Sequence, residues 1–287
     1  MKDLETIQYL KRVCNFIYTM TEDHCTEISF YSDDEPFGGT IRKLPNKPDI
    51  LDKVSKMPFL KKINLRKCKV GILPTFLSKS LEYIDLSCND LEIVPGWVVK
   101  QPNLKFLSVG ANKIKEVPTF DHLPLETLKL HKNSITKEPV VNNNLKSLNL
   151  YLNPLPIFPE LVLGLRKLEV LSLGVTNILK LPPISSLQNL KWLTLTVNPF
   201  KHLPEDICEL KKLEGLQLAK NQLESLPQEI GKLSNLKVLT VYNNNLFFIP
   251  DSLFDLNLSK LNLAGNQLES YKSRVLDKFK NIDFLRI

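Results

Sequence analysis

Leucine recurs in this chain with a period that leaves few folds open. The pattern Leu-x-x-Leu-x-Leu-x-x-Asn-x-Leu, with Ile or Val in some apolar slots, starts at Leu60, Leu81, Leu104, Leu125, Leu145, Leu168, Leu190, Leu213, Leu236 and Leu258. A shortened copy starts at Ile282, and successive copies lie 20 to 24 residues apart. A unit of that length cannot bury an apolar face alone, so the copies must stack and share one core. Leucine usage follows the same boundary: three fall in the first 50 residues and 50 in the remaining 237.

Each slot has a physical reading. Apolar residues at positions 4 and 6, such as Leu216 and Leu218, lie on one face of a short strand by its two-residue period. Positions 3 and 5 then point away from the core. Position 9 is Asn at 89, 112, 133, 153, 198, 221, 244 and 266. An amide offers donors and an acceptor, so stacked Asn side chains can satisfy backbone groups left open by a sharp turn. Cys68 and Thr176 stand in that slot in two copies and still carry a donor. Prolines such as Pro95, Pro118, Pro204, Pro227 and Pro250 follow an apolar slot past the turn and mark the return path. Apolar residues three and six further on, Ile207 with Leu210 or Ile230 with Leu233, fit a 3₁₀ turn packed inward. The run Asn142-Asn143-Asn144 reads as a shortened turn.

On these residues the chain resembles the leucine-rich repeat family. The stretch from Leu203-Pro204 through Ile207, Leu210 and Leu213 to Leu216 is similar to the short repeats of its bacterial and Ras-associated members. The resemblance implies an α/β fold: a right-handed, curved solenoid with a parallel sheet on a concave, partner-binding face and a 3₁₀ or extended convex side.

The ends need covers. Asp3 reads as the cap of a helix over residues 3–20, whose Leu4, Ile7, Leu10, Cys14 and Ile17 form one stripe. The expected organisation is a helical cap over 1–24, a degenerate capping repeat over 25–59, and ten repeats with a terminal helix and partial repeat over 60–287. In the second segment Ile28 and Phe30, then Ile41 and Leu44-Pro45, read as a strand and its return around the acidic loop Ser32 to Gly39. Residues 272–280 read as a helix through Val275, Leu276 and Phe279, followed by a strand with Ile282, Leu285 and Ile287.

The net charge of +7 and pI near 9.0 raise the question of nucleic acid. Residues 56–80 carry seven basic and no acidic residues, whereas residues 81–287 carry 24 and 21. The excess thus belongs to one repeat, with Lys61, Lys62, Arg66, Lys67 and Lys69. Glu82, Asp85 and Glu126 interrupt any basic track across the next strands, which argues against nucleic acid. No apolar run is long enough to span a membrane. Asp3, Glu5 and Gln8 break the apolar core that a secretory signal needs, so we expect a cytoplasmic protein, or one exported without a conventional signal.

Catalytic spacing is missing. His24, His122, His131 and His202 lie in different repeats, and the nearest metal-like set, Cys14 with His24 and Cys25, fits cap packing better. Cys88 and His131 lie two repeats apart, roughly 10 Å at the usual strand separation, beyond the reach of a nucleophile and its base. Asp33, Asp34 and Glu35 read as a solvated loop. We expect no enzyme, no cofactor and no metal. The five cysteines, an odd number, fit reduced thiols, with a Cys14 to Cys25 bridge left open.

What remains is the concave face. Position 3 brings Tyr83, Phe106, Val170 and Trp192, and positions 7 and 8 add Tyr151, Leu152, Val175, Val197 and Tyr242. Aromatic residues supply much of the energy at protein interfaces, although cross-strand packing also uses them. The expected site is Tyr83, Phe106, Tyr151, Val170, Trp192, Val197 and Tyr242, and the expected partner a protein or peptide. Two other readings stay open: the recognition arm of a bacterial effector whose catalytic part lies elsewhere, and anionic-polymer binding by the basic first repeat.

Overall fold

The computed structural model describes residues 2–14, 16–30, 47–71 and 73–287. The readings placed on Ser32 to Gly39, Ile41 and Leu44-Pro45 lie outside the described residues. The chain divides into two compact units, Met1–Ile135 with Pro139–Leu145, and Thr136–Glu138 with Lys146–Ile287.

The first unit opens with helix α1 (Lys2–Val13) and an antiparallel hairpin of β1 (Ile17–Thr21) and β2 (His24–Ser29), followed by α2 (Lys47–Ser55). Parallel pairing then runs from β2 through β3 (Lys62–Asn64), β4 (Tyr83–Asp85) and β5 (Phe106–Ser108) to β6 (Thr127–Lys129). In the second unit β7 (Ser147–Asn149), β8 (Val170–Ser172), β9 (Trp192–Thr194), β10 (Gly215–Gln217), β11 (Val238–Thr240), β12 (Lys260–Asn262) and β13 (Phe284–Arg286) pair in sequence order, all parallel. Helix α3 (Lys272–Phe279) lies between the last two strands.

Every strand from β3 onward begins at position 3, so the repeat register holds to the residue. Position 4 (Ile63, Ile84, Leu107, Leu216) and position 6 (Leu65, Leu86, Val109, Leu218) are fully buried. At roughly 1.5 to 3 kcal/mol per buried side chain, repetition of these slots outweighs the modest strand preference of Leu. The Asn ladder closes the turns. Asn89 donates to the carbonyls of Leu65 and Leu86 at 2.7 and 2.9 Å, and its Oδ1 accepts from the N–H of Val70 at 3.1 Å. Asn198 does the same one unit on, toward Leu173, Leu195 and Ile178. Thr176 replaces the amide by donating to Leu173 and to Asn198 Oδ1, and Cys68 by donating to the Arg66 carbonyl. The return path turns at the prolines: Pro95, Pro159, Pro204, Pro227 and Pro250 each accept, through their carbonyl, the first bond of a 3₁₀ segment.

Three expectations need correction. The amino-terminal helix ends at Val13 instead of residue 20, because Ile17–Thr21 pairs with β2; Ile17 is exposed there. Asp3 does not cap α1: its carboxylate accepts from the N–H of Cys25 at 3.2 Å, and the buried side of the helix is Asp3, Ile7 and Leu10, with Leu4 exposed. In α3 Val275 and Phe279 are buried, whereas Leu276 faces solvent.

Candidate functional site

The turn after each strand decides which side chains are offered. Position 8 has a positive φ in ten successive repeats, from Lys67 through Cys88, Ala111, Lys132, Leu152, Val175, Val197, Lys220 and Asn243 to Gly265, all between 52° and 70°. Its N–H then donates to the position-7 carbonyl of the next repeat, as Cys88 does to Gly110 at 2.9 Å and Val175 to Thr196 at 2.8 Å. Positions 3, 5, 7 and 8 thereby share the open face of the sheet.

In the first unit this face is built around a stack. The rings of Tyr83 and Phe106 lie 4.1 Å apart and 6° from parallel, as their paired positions on β4 and β5 dictate. Lys62 covers the Tyr83 ring at 5.1 Å, and Lys129 covers Phe106 at 5.2 Å. Both outer ring faces are therefore occupied by cations, and solvent meets the edges. Lys62 also reaches Glu27 at 3.7 Å. Of the other expected basic residues, Arg66 and Lys67 share the face at positions 7 and 8. Lys61 and Lys69, at positions 2 and 10, fall outside it.

Position 2 explains why positive charge does not run along the sheet. Its residues alternate in sign, Lys61, Glu82, Lys105 and Glu126 in the first unit and Lys146, Glu169, Lys191, Glu214 and Lys237 in the second. Lys105 meets Glu82 at 2.9 Å and Lys191 meets Glu169 at 2.8 Å. The paired lysines hold the Glu82 and Glu169 carboxyls below the usual range.

The second unit presents an apolar cluster. Val170 and Trp192 are neighbours on β8 and β9. The Trp192 ring occupies the space that a side chain at Gly215 would need. Tyr151 and Thr196 close in the same way over Gly174, within 2.9 and 2.7 Å of where a Cβ would stand. Leu152, Val170 and Val197 are 41%, 37% and 42% exposed, and Val175 is half-buried among them at position 8. Tyr242, half-buried, stands two repeats from Val197. Along the flank, the exposed Ile157 and Leu179 line a groove with Pro156 and Pro182.

Gly110, Gly174 and Gly215 are the residues that sequence reasoning missed. Each stands where a neighbouring large side chain lies across the sheet face, His131 over Gly110 being the third case. The signal was present, since a glycine inside a strand frame marks a close approach, but its partner is visible only in the paired register.

Among the described residues no three His, Cys, Asp or Glu side chains gather as a metal site. The cysteines are unbridged. Burial pushes the Cys25 thiol up to about 12 and the Cys208 thiol to about 11, far from nucleophilic use. Among the described residues no helix is long and apolar enough to cross a membrane.

A family model described as a leucine-rich repeat region matches residues 144–287. No curated protein matches the sequence significantly. Among solved structures, the leucine-rich repeat ectodomain of the Arabidopsis receptor kinase HAESA, in complex with an N-terminally extended IDA peptide hormone, is 23% identical with a TM-score of 0.71. That match covers 100% of this chain and 53% of the receptor chain. The same receptor kinase with the hormone IDA and the co-receptor SERK1 gives 25% identity and a TM-score of 0.69 over 94% and 47% of the two chains. A leucine-rich repeat protein of Leptospira interrogans is 24% identical with a TM-score of 0.58, over 82% of this chain and 74% of that one. The chain thus spans about half the length of the receptor chains. With the family model matched over half its length and the repeat register held in every strand from β3 onward, the chain belongs to the leucine-rich repeat family.

Proposed function

We propose that this protein is a non-enzymatic interaction module that takes up a protein or peptide on the open face of its sheet. The principal contact is the apolar cluster of the second unit, with Tyr151, Val170, Trp192 and Val197 at its centre and Tyr242 at its margin. The observation that carries this reading is the pair Val175 and Val197. Both are β-branched residues held at φ 55° and 56°, a conformation that costs such side chains of order 1 to 3 kcal/mol. Other repeats fill the slot with Lys, Cys, Ala, Leu, Asn or Gly, so the fold does not require valine there. A costly apolar residue facing solvent is accounted for by a partner that covers it. The receptor kinase crystallised with a peptide hormone supports the same use of the fold.

In the first unit Tyr83 and Phe106 stack on each other and lysines take their outer faces, so their share in this contact is limited to their edges. Buried Cys68 and Cys208 and the odd cysteine count support a reducing compartment such as the cytoplasm. Capture of partners from native lysate by the full chain, repeated with Trp192→Ala, tests the reading. Loss of the captured protein with an unchanged unfolding midpoint supports it, and equal capture by the variant removes it.

A further inference from the structure

The first unit carries an arrangement of its own on the open face of its strands. Across β3 to β6, position 7 reads Arg66, Ser87, Gly110 and His131, and position 8 reads Lys67, Cys88, Ala111 and Lys132. In both rows long basic side chains stand at the outer strands and small residues at the inner two. The long side chains lean inward: Arg66 Nη1 reaches Ser87 Oγ at 3.4 Å, and the His131 ring covers Gly110. The acid beneath them, Asp85, is buried and accepts from Ser87 N–H and Oγ–H at 2.8 and 2.6 Å. His131 Nδ1 is buried without a hydrogen-bond partner among the described residues.

We propose that this row docks an acidic peptide segment of a partner protein, with carboxylates on the Arg66–Lys67 and His131–Lys132 ends and the chain crossing Cys88 and Ala111, which stay partly exposed beside the buried Ser87 and Gly110. The proposal rests on the open face being a binding face, but not on the apolar cluster of the second unit. Three strand separations of ~4.8 Å set the two ends about 14 Å apart, the reach of roughly four extended residues at ~3.3 Å each. Cations at the two ends of a row of small residues match spaced carboxylates. A nucleic-acid strand asks for a continuous track, whereas the basic residues at the two ends here are separated by Ser87, Cys88, Gly110 and Ala111. The electrostatics agree: burial and then Lys129, Lys132 and Arg66 hold the His131 imidazole below its ordinary range, with Asp85 alone opposing. A bound carboxylate reverses that balance and raises it.

The test uses the full chain and a fluorescein-labelled octapeptide alternating Glu and Gly, followed by anisotropy at low and physiological salt. We expect Arg66→Glu with Lys132→Glu to weaken binding at least tenfold, Arg66→Lys to restore it, and Lys278→Glu on α3 to change nothing. In NMR titrations the His131 ring titrates at higher pH when the peptide is bound. Binding unaffected by the double charge reversal overturns the proposal, as does no rise of the His131 titration. Tighter, equally variant-sensitive binding of an unstructured oligothymidylate of the same charge overturns it in favour of nucleic acid. If the octapeptide fails while Trp192-dependent capture persists, the reading of this row alone is wrong. If both fail, the reading of the face is wrong.

Discussion

Trp192 and Gly215 are paired across β9 and β10, and the indole fills the space that any side chain at Gly215 would take. Gly215→Ala is therefore expected to turn the half-exposed ring away from β10. Because that ring can rotate into solvent, the stability cost should stay at the low end of overpacking, about 1 kcal/mol. Emission of Trp192 should shift to the red against the buried background of Trp97, and partner capture should fall. Unchanged emission in the variant contradicts the contact.

Val175 and Val197 predict a trade between stability and binding. Asn tolerates the left-handed backbone that both occupy, so Val175→Asn and Val197→Asn should each stabilise the fold by about 0.5 to 1 kcal/mol in urea titrations. Capture should weaken at the same time. Variants that are less stable than the parent would show that the backbone cost is recovered by packing within the chain.

Asn198 gives a ranking. Its amide joins Thr176, Ile178, Leu173 and Leu195 through both its oxygen and its nitrogen. Thr at the neighbouring position 176 still makes one of the two kinds of bond, so Asn198→Thr should cost least. Asn198→Ala leaves buried groups unsatisfied, at about 1 to 3 kcal/mol each. Asn198→Asp should be worst near neutral pH, since a buried carboxylate cannot donate to the Leu173 and Leu195 carbonyls. Unfolding midpoints that break this order remove the ladder account.

Leu216, fully buried in β10, should lose about 2 to 5 kcal/mol on Leu216→Ala through the cavity left behind. Its effect on capture should follow stability alone, unlike Trp192→Ala. Measuring both at a temperature well below the midpoint separates the two.

The His131 imidazole, held low by burial and neighbouring cations, sets a pH dependence. The folded chain binds fewer protons there than the unfolded chain, so its contribution is present above the unfolded value near 6.5. It is lost as pH falls from that value toward the folded one. Thermal midpoints followed from pH 7.5 downward should decline more for the parent than for His131→Gln. A parallel decline in both would assign the effect to other groups.

Much of the fold could be read because leucine spacing repeats. One three-residue strand is a weak signal, yet Ile63, Ile84, Leu107 and their successors occur at a period that only stacked strands satisfy, and the Asn and Pro positions follow from it. The amino-terminal boundary is not legible in the spacing, for the opposite reason. Cys14 and Ile17 continue a helical spacing locally, while pairing of Ile17–Thr21 with His24–Ser29 depends on a partner strand that spacing does not register.

The sequence by itself determined the register, because a shift of one residue would turn every buried leucine to solvent. It also named which side chains reach the open face. Only the tertiary structure decided what those side chains do there. Whether Tyr83 offers a ring face or has it covered by Lys62, whether Trp192 rests on Gly215, and whether Arg66 and His131 converge are fixed by the direction in which each side chain leans across neighbouring strands. That direction depends on the size of the residue next to it in space, about 20 positions away in the chain, and periodicity carries no information about it.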